Sequence, residues 1–215
     1  VKILKRTDGA ICQSVTYELE FETSRIEAVV SLKKNSCVLE FDVKLDWHEL
    51  GNRTKGIPQL SFRVPASYQT GTYRCIVPGG IIDRSEWAQD VPCLGYMEAV
   101  HAEETSLAVM SDCKYGFRGY DNTVSLTLQR APYDPDPTPD QGEHYMKIGI
   151  AAVGDKEDLA EKYDRFIHPL YAVSNSVHEG ELPLSENLLN VTGNVKVDVL
   201  KKAENGDGII LRLYN

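Results

Sequence analysis

The chain has 215 residues, of which 42% are hydrophobic and 26% are charged, and this suits one large domain or a large and a small one. Its formal net charge of −9 and the absence of a basic patch argue against nucleic-acid binding, because phosphates are neutralised by clustered Lys and Arg. No run of about 18 apolar residues is present, so the sequence predicts no membrane span.

Alternating apolar and polar residues predict β-strands through most of the chain. From Tyr17 the pattern is that of a hairpin, in which the runs 24–34 and 37–47 flank the turn residues Asn35 and Ser36. Further strands are predicted at residues 59–65, 71–79, 106–110, 123–130, 145–153, 194–203 and 208–215. Many short strands separated by Gly, Pro, Asn and Asp clusters indicate a sandwich of β-sheets.

The tetrapeptide "DWHE", residues 46–49, ends one of these strands with an aromatic ring, an imidazole and two carboxylates. Trp47 has the chemistry to stack on a sugar ring or to fill the core. His48 and Glu49 form an acid–base pair only where a substrate proton lies within reach. The sequence leaves these alternatives open.

The segment "SDCKYGFRGYDN", residues 111–122, interrupts the alternation between two strands. It places Asp112, Lys114, Arg118 and Asp121 around two tyrosines and two glycines. We therefore predict a loop, which is either a solvated turn or a site held by a rigid scaffold.

The segment "DPDPTPDQG" is predicted to be a loop, because its three prolines lack the N–H that a helix or a central strand requires. Asp134, Asp136 and Asp140 offer oxygen ligands at short spacing, but the turn glycine and closing glutamate of an EF-hand-type calcium loop are missing. The five cysteines and five histidines form no local zinc motif. We expect buried free thiols in a reducing compartment rather than a disulfide framework.

One segment after the last of these loops has helical periodicity. Leu159, Tyr163 and Phe166 lie at helical spacing and predict one short helix. Asp155 is its predicted N-cap and Pro169 its predicted end.

Five stretches together resemble the C-terminal β-domain of glycoside hydrolase family 38, the α-mannosidases. They are "DWHE", "GGIIDR", "SDCKYGFRG", "SLTLQRAPYDPDPTPDQGEHYMKIGI" and "LKKAENGDGIILRLYN". The resemblance covers most of the chain from about Ile26 onward, and its most specific part is "DCKYG" followed by the Arg, Pro, Asp, Gly and His residues of 130–144. "GGIIDR" departs from the family pattern at Asp83 and Ser85, which leaves the role of this segment undecided.

The resemblance implies a mostly β fold, a large antiparallel β-sandwich similar to the galactose-mutarotase supersandwich, with one short helix. Residues 1–215 are expected to form this domain, cut at both ends, with a further β segment beginning near residue 194. The family's nucleophilic Asp, acid and zinc ligands belong to a preceding α/β-barrel of a retaining enzyme. This chain is therefore expected to hold no catalytic residue, metal or other cofactor and to be inactive alone.

The implied role is a non-catalytic domain that packs on the zinc-containing barrel and helps to wall its sugar site. The expected partners are the N-terminal catalytic domain of the same polypeptide and a mannose-containing oligosaccharide, in the cytoplasm. Lys114, in the family-like "DCKYG", is expected to contribute more to the activity of the full-length enzyme than Arg118. Arg118 is expected to lie in a solvated turn. The candidates for the substrate rim or domain seam are Trp47, His48, Arg84, Asp112, Lys114 and Tyr115.

Two other hypotheses stay open. The first is an independent carbohydrate-binding sandwich, whose stacking platforms would be chosen from Trp47, Trp87, Tyr115 and Tyr120. The second is mutarotase-like chemistry, which would use His48, His101 or His144. No His and Glu pair in the sequence supports this second alternative.

Overall fold

The computed structural model describes residues 1–154 and 159–214. The strands of these residues are β1 (Lys2–Asp8), β2 (Cys12–Phe21), β3 (Ser24–Lys33), β4 (Val38–Trp47), β5 (Gln59–Pro65), β6 (Thr72–Val77), β7 (Gly80–Ser85), β8 (Val91–Pro92), β9 (Tyr96–Ala99), β10 (Ser106–Ser111), β11 (Gly116–Tyr120), β12 (Thr123–Arg130), β13 (Gly142–Val153), β14 (Lys196–Lys202) and β15 (Ile209–Tyr214). One helix, α1 (Leu159–Ile167), lies between β13 and β14. The chain divides into two compact units, Val1–Pro169 and Leu170–Asn215.

A large antiparallel sheet of nine strands forms one layer of the first unit. Its strand order is β1-β2-β3-β4-β13-β10-β9-β6-β7. Successive side chains of a strand point to opposite faces, so Val43 and Leu45 of β4 project into the core while Lys44 lies on the other side. Ile148 of β13 and Val109 of β10 continue the same buried face, and neither has any exposed surface.

A small sheet of four strands, in the order β5-β12-β11-β8, packs on the inner side of the large sheet. Phe117, Val124 and Leu126 are completely buried and belong to one core with the inner residues of the large sheet. Phe41 and Phe62 meet edge to face across this core, with ring centroids 5.1 Å apart. These two layers confirm the predicted antiparallel β-sandwich.

Helix α1 packs on the opposite face of the large sheet and confirms the helix prediction. Its buried side chains are Leu159, Tyr163 and Phe166. The Tyr163 ring meets that of Tyr96 on β9 at 5.5 Å, and a Cβ at Gly95 would overlap the Tyr163 side chain. The predicted N-cap, Asp155, lies outside the described residues. Within the described residues no helix has the length and apolar character of a membrane span.

The second unit contains the antiparallel hairpin of β14 and β15. No described residue from 170 to 214 is buried in this structure. This unit therefore has no core of its own within the described residues, and an isolated two-stranded hairpin is only marginally stable in water. The domain boundaries expected from the sequence stay a prediction.

Candidate functional site

Residues 112–115 carry the chain from β10 in the large sheet to β11 in the small sheet. The backbone N–H groups of Cys113 and Lys114 donate to the Ser111 hydroxyl at 3.3 and 3.0 Å. Ser111 itself is completely buried. A serine at the end of a core strand therefore fixes the first turn of this crossing loop.

Asp112 extends the pairing between β10 and β13 by one residue. Its Oδ1 accepts the backbone N–H of Lys147 at 2.9 Å, and its own N–H donates to the Lys147 carbonyl at 3.2 Å. The Asp112 carboxylate thus binds the scaffold rather than Lys114 or Arg118.

Lys114 and Tyr115 follow directly and differ in what their side chains contact. The Lys114 ammonium lies 3.4 Å from Oε1 of Gln129, a buried residue on β12. The backbone carbonyl of Tyr115 accepts the N–H of Cys93 at 2.9 Å, whereas the residue as a whole is 53% exposed. The backbone here is fixed, and an aromatic ring projects from it.

The predicted loop at 111–122 is wrong beyond residue 115, because Gly116–Tyr120 forms strand β11. Asp121 and Asn122 both have positive φ, 50° and 53°, and join β11 to β12 in a two-residue hairpin turn of the type that follows the strand twist. A Cβ at Gly119 would overlap the ring of buried Tyr73. Glycine at this position is thus a packing requirement and not a turn signal.

Arg118 lies on β11, so its assignment to a solvated turn is also wrong. Its Nε and Nη2 donate to Oδ1 of Asp90 at 3.0 and 2.7 Å. Oδ2 of Asp90 accepts the Thr127 hydroxyl at 2.6 Å, and Gln59 Nε2 donates to Thr127 Oγ1 at 2.7 Å. We call these four residues the Asp90 network. It links β5, β12 and β11 to the residue before β8.

The Asp90 network lies on the side of the small sheet that faces away from the core, which we call the polar face. Arg63 on β5 and Arg118 on β11 both lie opposite Ser125 of β12 in the sheet register. The two arginines therefore flank Ser125 in one row across the sheet. Tyr120 follows Arg118 by two residues on β11 and is therefore on the same face, with 49% of its surface exposed. This face presents cations, amides, hydroxyls and an aromatic ring.

The structure places Trp47 in the core, where it is 1% exposed. Its ring centroid lies 6.4 Å from that of Phe21. A buried indole offers no stacking surface, so Trp47 is not a platform for a sugar in this domain.

The other residues of "DWHE" have separate structural partners. His48 Nε2 lies 2.8 Å from Oδ1 of Asp46. Glu49 Oε1 accepts the Ser24 hydroxyl at 2.7 Å and the Thr23 N–H at 3.0 Å. Burial acts to raise the pKa of Glu49, but these hydrogen bonds outweigh it and hold the pKa below its ordinary value. His48 and Glu49 are therefore held by different partners, and an acid–base role for them on a substrate stays a prediction.

Arg84 lies on β7, the edge strand of the large sheet, so "GGIIDR" forms a strand. Its Nε donates to the Cys75 sulfur at 3.3 Å. The neighbouring Asp83 pairs with Arg74 at 2.8 Å. The structure therefore brings Asp112, Lys114 and Tyr115 together on one crossing loop, and it places Trp47, His48 and Arg84 on other elements.

The remaining histidines of the mutarotase hypothesis have local partners. His101 Nδ1 accepts the Glu104 N–H at 2.8 Å, and His144 Nε2 lies 2.7 Å from the Asp140 carbonyl oxygen. His101 also lines a cavity of about 290 Å³, together with Glu98. Across residues 1–154 and 159–214, no group of three or more His, Cys, Asp or Glu side chains is arranged to hold a metal ion.

The sequence analysis missed Asp90, Thr127 and Gln129. Asp90 binds Arg118, which is 28 residues later in the chain, and Thr127, which is 37 residues later. No motif connects these residues, and only the register of the small sheet brings them together. The only sequence signal was the polar residue at alternate positions of β12. This pattern indicates that one face of the strand points outward, but it does not indicate which residues those polar side chains contact.

The fold and the polar face define a β-sandwich domain whose small sheet is polar on its outer side. A family model described as the glycosyl hydrolases family 38 C-terminal domain matches residues 1–138. This match covers more than half of the chain, and the chain belongs to that family. The resemblance stated from the sequence is thereby confirmed.

Several known proteins are similar to this chain. It is 30% identical over 193 residues to alpha-mannosidase G of Dictyostelium discoideum, a match that covers 84% of this chain and 17% of that protein. It is 28% identical over 147 residues to alpha-mannosidase 2C1 of Mus musculus, covering 67% of this chain and 14% of that protein. The chain thus spans about a sixth of the length of these curated relatives.

A solved structure titled as an alpha-mannosidase from Enterococcus faecalis V583 has the same fold. It superposes with a TM-score of 0.75 and 17% sequence identity, over 98% of this chain and 29% of that chain. At this identity the likeness concerns the fold alone.

Proposed function

We propose that this chain is the non-catalytic C-terminal domain of a retaining α-mannosidase, which packs on a zinc-containing catalytic barrel and helps to wall its sugar site. In this proposal the nucleophile, the acid and the zinc ligands belong to the N-terminal part of the same polypeptide. Zinc would need ligands from that part, since the described residues of this chain offer no suitable donor cluster. The substrate class is an oligosaccharide with terminal α-mannosyl residues.

The observation that carries the proposal is the combination of the crossing loop and the polar face. The Lys114 ammonium and the exposed Tyr115 lie on the crossing loop, and Arg118 and the exposed Tyr120 lie on strand β11, which follows it. The Arg118 guanidinium is already held by Asp90, so the Lys114 ammonium is the cation that would complement carboxylates and hydroxyls here. A barrel carboxylate or a sugar hydroxyl would supply them.

The proposed seam is tested by Lys114→Ala in the full-length polypeptide, with Lys34→Ala as the matched control. Lys34 is exposed in the first unit, at the turn between β3 and β4. A hydrogen bond from a charged group contributes about 1.5–3 kcal/mol, so kcat/KM for an aryl α-mannoside should fall roughly ten- to a hundredfold. Lys34→Ala should retain the original value.

Melting curves accompany these kinetics, because loss of folding would imitate loss of the seam. A well-folded Lys114→Ala enzyme with unchanged kcat/KM would show that the crossing loop has only a structural role. The isolated chain, assayed beside them, is expected to give no turnover above a blank, since the proposed catalytic groups lie elsewhere. We also propose a cytoplasmic location, where the five free thiols would stay reduced.

A second candidate, an independent carbohydrate-binding module, is favoured by the exposed ring of Trp87. Trp87 is 58% exposed, and its backbone N–H donates to the Gly119 carbonyl at 2.9 Å, next to exposed Tyr120. Aromatic rings of this kind stack on sugars. Titration of the isolated chain with a mannose oligosaccharide, followed by tryptophan fluorescence, decides this candidate. A saturable change that Trp87→Ala abolishes supports it, and no change contradicts it.

A further inference from the structure

The exposed thiol of Cys37 and the ammonium of Lys162 meet where helix α1 packs on the outer face of the large sheet. Lys162 Nζ donates to the Cys37 sulfur at 2.8 Å, although the two residues are 125 positions apart in the chain. Cys37 lies between β3 and β4, and Lys162 lies on α1. The contact therefore brings a nucleophilic sulfur and an amine nitrogen together from two elements of the first unit.

Both partners of this contact are held in place by their own surroundings. The Ala152 N–H on β13 donates to the Cys37 carbonyl at 3.3 Å, which fixes the turn before β4. Lys162 directly precedes Tyr163, whose buried ring meets that of Tyr96 on β9. Because both backbones are fixed, the sulfur and the nitrogen stay at a high effective concentration relative to each other.

We propose that Cys37 and Lys162 form a reversible modification site, at which hydrogen peroxide produces a covalent sulfur–nitrogen bond between the turn before β4 and α1. The Cys37 thiolate attacks one peroxide oxygen, which breaks the O–O bond and gives a sulfenic acid and hydroxide. The hydroxide takes a proton from the Lys162 ammonium and becomes water.

The second step forms the link. The neutral amine of Lys162 attacks the Cys37 sulfur, the S–N bond forms, and the sulfenic oxygen leaves as hydroxide. This hydroxide takes a second proton from the nitrogen and becomes water. The sulfur loses two electrons in total, and the peroxide gains them. The flexible stem of Lys162 lets the nitrogen close the remaining distance to the sulfur.

Peroxide reaches the Cys37 sulfur without any opening of the fold. Cys37 is exposed, and it lines an open cavity of about 550 Å³ together with Leu39 and Ile150. Peroxide is close to water in size, so this cavity has ample room for it. Access therefore does not limit the reaction at this cysteine.

Cys113 is also exposed, but its sulfur has different surroundings. Its thiol donates to the Tyr145 carbonyl at 3.9 Å. Partial burial of the sulfur, together with the Asp112 carboxylate, raises the pKa of Cys113 to about 11. This thiol therefore stays protonated at pH 7 and serves as an internal control for the reactivity of Cys37.

The link would close a covalent loop from the turn before β4 to α1. Such a cross-link restricts the unfolded chain and keeps α1 on the sheet. We therefore expect the oxidised chain to unfold at a Tm that is higher by at least about 5 °C.

The test treats the unaltered chain with hydrogen peroxide and maps it with trypsin and mass spectrometry in the absence of a reducing agent. Trypsin does not cleave at a lysine whose nitrogen is bound to sulfur, so residues 35–44 should be found linked to residues 157–165. The linked product should weigh two hydrogen atoms less than the sum of these two peptides. Dithiothreitol should separate the peptides and restore the original Tm. Cys113 should remain available to iodoacetamide.

Lys162→Gln tests the amine, with Lys34→Gln at an exposed position three residues before Cys37 as the matched control. In Lys162→Gln, peroxide should carry Cys37 on to sulfinic acid and leave the Tm unchanged. Lys34→Gln should form the link and gain the same Tm as the original chain. The proposal is overturned if the original chain forms sulfinic acid at Cys37 without linked peptides, if the linked product contains an additional oxygen atom, or if peroxide raises the Tm of Lys162→Gln as much as that of its control.

Discussion

The outer faces of the two sheets carry similar charges but differ in how those charges are held. On the large sheet Lys44 pairs with Glu143 at 2.5 Å and His48 with Asp46 at 2.8 Å, and all four side chains are 42–52% exposed. On the small sheet Asp90 and Arg118 are only 25% and 35% exposed, and Asp90 also binds Thr127. Ion pairs at similar distances therefore differ in how much they stabilise the two sheets, because water screens the exposed pairs of the large sheet more strongly.

Glu40 shows the same rule within the large sheet. Its side chain is 11% exposed and lies 2.7 Å from Lys33 and 2.6 Å from Lys147. The Lys147 ammonium is 5.0 Å from the centroid of the Phe166 ring, so α1 covers this end of the face. Helix packing, rather than the sequence of charges, separates Glu40 from the exposed pairs.

The largest difference is expected for Asp90→Ala, compared with Asp46→Ala on the exposed face. Removing Asp90 leaves Arg118 and Thr127 partly buried without their acceptor, so the free energy of unfolding should fall by about 3 kcal/mol. Asp46→Ala should change it by less than about 0.5 kcal/mol. Denaturant unfolding of both variants measures the two values. Similar losses would mean that burial does not distinguish the two faces.

A smaller effect, of about 2 kcal/mol at pH 7, is expected for Glu40→Gln, because two ammonium groups lose an ionised acceptor. Burial acts to raise the pKa of Glu40, but Lys147 and Lys33 outweigh it and lower the pKa below its ordinary value of 4.5. Its stabilisation is thus complete above that value and is lost as pH falls through the lower folded pKa.

The pH dependence of unfolding separates this contribution from simple loss of packing. The difference between the original chain and Glu40→Gln should be constant near neutral pH and should shrink below about pH 4.5. Parallel curves down to the acid transition would show that the carboxylate charge of Glu40 is not what stabilises the sheet.

The smallest effect is expected for Lys44→Ala. Its hydrogen bond to Glu143 raises the pKa of Lys44, but both groups are exposed to solvent. No measurable change of Tm is expected at physiological salt, because the ion pair is screened. Thermal melting in low and high salt provides the check. A clear loss of Tm that persists in high salt would contradict this expectation, because it would show that the pair stabilises the fold as the Asp90 network is expected to do.

Local sequence patterns were sufficient to predict much of the fold. Leu39, Phe41, Val43 and Leu45 alternate with polar residues and form β4 as predicted, because one face of a strand must be buried. Strand β11 escaped prediction because Gly116 and Gly119 resemble turn residues. Only the position of the Tyr73 ring, 46 residues earlier in the chain than Gly119, explains why glycine occurs within a strand.

The sequence by itself determined strands such as β4 and β12, the short helix and the family, since each of these depends on residues close together in the chain or on short motifs. Tertiary structure alone decided which side chains meet. The small sheet places β5 beside β12, more than 50 residues later, so Gln59 reaches Thr127 and, through it, Asp90. Such contacts follow from the register of non-local strands, and a linear pattern contains no measure of that register.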